Sequence, residues 1–228
     1  MNLKTLSLLT AAGLAVAVAA EPVRAISFGV SPDGNQFTTT VAGATTLTFS
    51  DVATPSASPI NYTKGLASYS GNGRFVAGSI GGRYAEPPNN QPAYLTLGAG
   101  QEPGPVRIDF STALNYFGLY WGSIDSFNSI SFFSQGKLLK TIVGSDIRNP
   151  ANGNQQLTGA RFVDFFADAG KSFDRIDLIS SSAAFESDNH AYRAVPTPAL
   201  LPGLIAMGAA ALRKRKGEQS EQPEEVKA

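Results

Sequence analysis

Few residues of this chain could do chemistry. His190 is the single histidine among 228 residues, and there is no cysteine. A serine nucleophile would have to take its base from His190, and no Gly-x-Ser-x-Gly turn presents a serine for attack. His190 therefore reads as a strand or edge residue close to the end of the body. Carboxylates are better supplied, at Asp109, Asp125, Asp164, Asp174, Asp177, Glu186 and Asp188. A pair of them would serve glycoside hydrolysis only at a separation that a sequence does not give. Most alternate with apolar neighbours, as solvent-facing strand positions do.

Glu186 and Asp188, with Asp125 and Asn128, form a set of hard oxygen ligands near chain reversals that suits a structural calcium ion. Capping of turns through hydrogen bonds to backbone is the alternative role for the same side chains. Trp121 and Tyr120, flanked by Tyr116 and Phe117, could offer an apolar platform to a sugar ring. Phe117, Leu119 and Trp121 share one strand face, however, which makes burial the default for that face. Gly78, Gly81 and Gly82 follow no nucleotide-binding pattern, since no βαβ unit surrounds them, and read as turn glycines. The expectation is a non-enzymatic protein, with calcium the one cofactor its residues suggest.

These side chains must be positioned by strands. Gly (23) and Pro (14) are frequent, Phe (14) and Tyr (7) are plentiful, and charged residues make up 16% of the chain, a turn-rich all-β profile. Val106-Arg107-Ile108-Asp109-Phe110 alternates with period two, as a half-buried strand should. Further apolar clusters lie at 46–49, 94–97, 117–121, 130–133, 138–142, 162–166 and 176–179, separated by turns such as Pro32-Asp33-Gly34-Asn35 and Gln135-Gly136-Lys137. No segment of the body sustains a helical period. Many short strands without helical crossovers predict an all-β, antiparallel two-sheet sandwich, jelly-roll-like, over residues 21–194. Seven prolines between Pro55 and Pro105 place the long irregular loops in the stretch 51–105.

Eighteen basic residues balance eighteen acidic ones, so no broad positive face is available for nucleic acid. Without cysteine there are no disulfides, zinc thiolates, iron–sulfur ligands or cysteine nucleophiles. At the N-terminus, Lys4 precedes an apolar run ending in small residues, which reads as a signal peptide over 1–20, with cleavage before Glu21 or, alternatively, after Ala25. A retained membrane anchor is the other reading of the run, which is short for a span. At the other end, Val195–Leu212 is an apolar stretch of 18 positions followed by Arg213, Lys214, Arg215 and Lys216. A helix there approaches the length of about 17–25 residues that spans a bilayer, and the basic tetrad sets its orientation with the carboxyl terminus inside. Residues 217–228 form a hydrophilic tail.

The order Pro196-Thr197-Pro198-Ala199, apolar helix, basic cluster resembles the PEP-CTERM sorting signal, in the PTPA-CTERM variant found on exported bacterial proteins, notably cyanobacterial ones. Thr197 stands where the name-giving motif has glutamate, as in that variant, and the hydrophilic extension follows a basic cluster that usually lies closer to the end. The resemblance implies recognition of Pro196, Thr197 and Pro198 by an exosortase-type membrane protease, holding of the precursor in the membrane through Leu200–Leu212, and orientation by Arg213–Lys216. The chain would be the substrate of that system over 195–216, briefly membrane-anchored and then at the cell surface or outside the cell. A plain carboxy-terminal anchor is the alternative. The segments "YFGLYWGSIDSFNSISFFSQGKLL" and Phe185-Glu186-Ser187-Asp188-Asn189 are similar to exosortase-dependent surface proteins with a single β domain. That likeness implies a surface or matrix role, with binding of extracellular polysaccharide as the alternative and secreted hydrolysis as a third.

Overall fold

The computed structural model describes residues 25–89, 93–98 and 105–196. The expected signal peptide, and the tail from Thr197 onward with its two orienting and anchoring parts, lie outside the described residues. The described chain is nearly all β. In chain order the strands are β1 (Ile26–Val30), β2 (Thr45–Leu47), β3 (Ile60–Lys64), β4 (Ala67–Gly71), β5 (Gly73–Val76) and β6 (Tyr94–Leu97). They continue with β7 (Val106–Trp121), β8 (Asn128–Ser134), β9 (Lys137–Val143), β10 (Arg161–Ala167), β11 (Phe173–Ser180) and β12 (Phe185–Ala194), with one helical turn, α1 (Gly144–Ile147), after β9. No helix among the described residues is long and apolar enough to cross a membrane.

Every strand pairing is antiparallel, and the pairings join into one open network that branches at β7. Two clusters expected as separate strands, 106–110 and 117–121, are the ends of this single strand of 16 residues. The reason is local: Ser111 to Tyr116 contains no glycine or proline to break the extended chain. The first half of β7 lies between β4 and β11, and the second half between β10 and β12. Beyond β11 come β8 and β9; beyond β12 come β6, β5 and, at its far end, β2.

The burial pattern of β7 records the change of surroundings. Val106, Ile108 and Phe110 are buried while Arg107, Asp109 and Ser111 are exposed, but all six residues from Tyr116 to Trp121 are buried. Phe117, Leu119 and Trp121 enter the main core, where rings from unpaired strands meet: Phe132 of β8 lies 5.1 Å from Phe165 of β10, and Tyr69 of β4 lies 5.8 Å from His190 of β12. Tyr116 and Tyr120 enter a second cluster with Phe162 and Ala191, covered by Phe37, Val41 and Ala44 from the segment between β1 and β2. Gly118 sits between those tyrosines on that face, and a Cβ there would collide with the Tyr116 hydroxyl and lie 2.9 Å from the Phe162 ring. The strand can be covered on this side only because that position carries no side chain.

The stretch 51–105, expected to hold the long irregular loops, also contains β3, β4 and β5 besides the expected strand at 94–97, which is β6. The prolines cluster before Ile60 and after Tyr84, and the stretch between them is free to form the β3–β4 hairpin, whose inner side chains Ile60, Ala67 and Tyr69 are buried, and β5, which buries Phe75.

Phe117 is fully buried against Phe110, Phe165 and His190, so Phe117→Ala should cost about 3–5 kcal/mol of stability. Leu138, 51% exposed on β9, should tolerate alanine within about 0.5 kcal/mol. Urea unfolding of both variants checks the assignment of core and rim.

Candidate functional site

The end of β7 that leaves the sheet at Trp121 runs on through Gly122, Ser123, Ile124 and Asp125, and the start of β12 lies beside it. These two segments form the floor of a cleft of about 300 Å³. One wall is the Ser79–Ala85 loop, closed on itself by the bridge between Ile80 and Tyr84. The facing wall is the turn at Asn152 and Gly153, tied to the floor by the bridge between Asp125 and Asn152 and by Gly153 N–H donating to Ile124 O at 3.0 Å.

Two carboxyls look into this cleft. Glu186 is 1% exposed; its Oε1 accepts from the Ala85 backbone N–H at 2.9 Å and its Oε2 from the Ser123 hydroxyl at 2.6 Å. Burial, reinforced by the charge of Asp125, pushes Glu186 up to about 7 in spite of these two bonds. Burial also pushes Asp125 up to about 6. Gly153 takes a positive φ of 66°, and a Cβ there would lie 2.6 Å from Asp125 Oδ1, so the turn leaves the carboxyl uncovered. The cleft thus holds two weakly acidic groups, one of them fixed by two donors.

The other two expected calcium ligands are elsewhere. Asn128 is buried and spent on structure, its Oδ1 accepting from Ser180 at 2.7 Å and its Nδ2 donating to Ala184 O at 3.2 Å. Asp188 is fully buried opposite Tyr120 in the ladder and does not line the cleft. Asp125, Asn128, Glu186 and Asp188 therefore do not assemble into a calcium site, and among the described residues no three His, Cys, Asp or Glu are placed to hold a metal. The expected sugar platform is also corrected. Trp121 is fully buried and stacked on Phe185 at 4.5 Å and 19°, and Tyr120 is fully buried with its hydroxyl donating to Gly34 O and Pro88 O. Neither ring has a face open to a ligand.

His190 is a strand residue, on β12, and is buried in the core and not at an edge. Its Nδ1 lies 3.0 Å from the Tyr69 hydroxyl and its Nε2 lies 2.9 Å from Ser187 Oγ, with all three residues at most 1% exposed. Burial pulls His190 down to about 3, so the ring is neutral. A serine beside a histidine is the start of a nucleophilic pair, but this one is sealed among Phe49, Phe117 and Tyr69 and lines none of the clefts described here. The sequence concealed the pair. Residues three apart point to opposite faces of a regular strand, and only the bulge at Asn189, with φ of 50°, brings Ser187 and His190 to the same side.

Pro196, the first residue of the sorting motif, is exposed just past the end of β12; Thr197, Pro198 and Ala199 and the basic tetrad lie outside the described residues. No family model matches this chain, and no curated protein is significantly similar to it.

The carboxyl pair and the histidine give the protein a definite pH response. Glu186 holds a proton in the folded state between its ordinary 4.5 and about 7, so its share of stability grows as pH falls through that window and is lost as pH rises through 7. His190 acts oppositely, because below 6.5 the unfolded chain takes up a proton that the buried ring refuses until about 3. Glu186→Gln should therefore gain on the parent by about 2–3 kcal/mol between pH 5 and pH 8, read from urea unfolding at both values. A difference that does not change with pH would show that Glu186 titrates normally.

Proposed function

We propose that this chain is a non-enzymatic exported protein of the cell surface or extracellular matrix, delivered by a signal peptide and sorted by residues 195–216 as the substrate of an exosortase-type membrane protease. Its body, 21–194, is then a β-sandwich of jelly-roll kind whose two faces are the two arms that branch from β7. The observation that carries the reading is the place of the motif directly after the last described strand. The last strand ends at Ala194, the last backbone bond of the ladder region is Val195 N–H to Ala113 O at 2.9 Å, and Pro196 follows at once. The described fold thus runs up to the residue at which the motif begins.

A second feature supports the same reading. Ala25, where the described chain begins, accepts a hydrogen bond from Asp168 N–H at 3.2 Å, and Asp168 lines the same surface depression as Ala113 and Val195. Ala25 and Val195 therefore lie at one pole of the described fold. A leader and a tail that both engage a membrane would meet it from the same side, without strain on the domain. The burial of the Ser187–His190 pair favours a non-catalytic role over hydrolysis by a serine nucleophile.

The test is intact mass and sequencing of both termini on protein recovered from its native envelope and medium. The expected mature form begins near Glu21 or Ile26 and ends between Pro196 and Ala199. A chain that still ends at Ala228 and fractionates with membrane would make the tail a plain anchor. Deletion of 195–228 should divert the protein from the surface to the medium or periplasm while its folding, followed by near-UV circular dichroism, is unchanged.

A further inference from the structure

We propose that the cleft between the Ser79–Ala85 loop and the Asn152–Gln155 turn is a binding site for a neutral saccharide unit. Its volume of about 300 Å³ lies at the lower limit of small-molecule sites, which selects a ligand of one or two rings, or the end of a chain. The chemistry of its walls narrows the class further. Asp125 and Gln155 line the cleft with a carboxyl and an amide, over the buried Glu186 carboxyl and beside the Asn152 amide, a polar surface that calls for a ligand bringing hydroxyl groups. Ile80, 45% exposed at the rim, together with Tyr84 and Phe127, gives the apolar patches that a ring's C–H face requires.

Other ligand classes fit worse on the same residues. An anion would meet two carboxyls with only the exposed Arg83 to oppose them. A metal ion would need a third strong ligand, and Asn152 Oδ1 is already taken by the Arg148 guanidinium at 3.0 Å. An apolar molecule would strip water from Asp125 and return no hydrogen bond. A polyol satisfies it, with each hydroxyl both giving and accepting.

The site is also built in advance. Glu186 is clamped by Ser123 and Ala85, Ser79 Oγ accepts from Glu86 N–H at 2.9 Å to hold the loop closed, and Asp125 sits on a segment bridged to Asn152. Little ordering remains to be done on binding. This inference does not depend on sorting of the tail, and it places the ligand where neither Trp121 nor Tyr120 takes part.

The experiment is isothermal titration of the full chain with glucose, galactose, mannose and dextran, and separately with calcium chloride. At least one neutral sugar is expected to bind in the millimolar range or tighter, and Asp125→Asn, which keeps the shape but replaces one acceptor oxygen by a donor, is expected to weaken it about tenfold. Lys171→Ala, at the opposite pole, should leave binding unchanged. Binding of dextran without glucose would assign the site to a chain segment, and binding of both to a free or terminal unit. Absence of binding to all four sugars, equal affinity in Asp125→Asn with an unaltered melting temperature, or binding of calcium alone would each overturn the proposal. Release of reducing ends from dextran would keep the site but end the non-enzymatic reading of the protein.

Discussion

The structure depends on β7 having both of its edges paired along almost its whole length. A strand of 16 residues offers backbone donors and acceptors on two sides, and each must find a partner once the strand is buried. Here β4 and β11 supply them to the first half and β10 and β12 to the second. Changing partners midway requires the ladder to slip, and the slips are where they would be expected: between Phe173 and Arg175 on β11, and near Arg193 on β12, both opposite Leu114. Through those slips one strand serves two sets of neighbours, and the aromatic core fills the space between them.

The second demand follows from the first. Because the last third of β7 is covered on both faces, its outward residues Tyr116 and Tyr120 carry hydroxyls into a buried layer, and each is met. Tyr116 donates to Asp164 at 2.7 Å, and Tyr120 reaches backbone carbonyls of the two flanking loops. The segment between β1 and β2 has no regular structure, yet it is fastened by these tyrosines and by Asn189 Nδ2, which donates to Phe37 O at 2.7 Å. The loops that wall the cleft and the second cluster are thus organised by polar groups at the end of the same strand.

Much of the strand set was legible in the sequence, because local periodicity carries it. The cluster 94–97 is β6, and 138–142, 162–166 and 176–179 lie within β9, β10 and β11. What was not legible is whatever depends on a distant partner. The absence of Gly and Pro from Ser111–Tyr116 permits one strand, but nothing local tells that it changes partners midway, and nothing in Tyr62, Ser68 or Ser70 reveals that β4 pairs with β7 and β3 with β4. The site shows the same division. Residue type was enough to single out Asp125 and Glu186, but the pairing with β7 buries Asp188 opposite Tyr120, and only the bulge after it turns His190 to the side of Ser187 in the interior. Trp121 and Tyr120 adjoin in sequence and are buried in different clusters, each for the strand's own needs.

The position of the cleft relative to the chain ends has a mechanical meaning. Glu186 and Ala194 lie eight residues apart on one strand, about 26 Å at a rise of roughly 3.3 Å per residue. A pull exerted at Val195 and resisted by something seated in the cleft runs along the axis of β12, parallel to its neighbour β7. The hydrogen bonds between them lie across that line, so they are loaded together in shear and not opened one after another as in a zipper. With the tail held and a ligand seated in the cleft, as proposed, the domain would act as a link in a chain under tension, loaded at opposite ends of its best-paired strands.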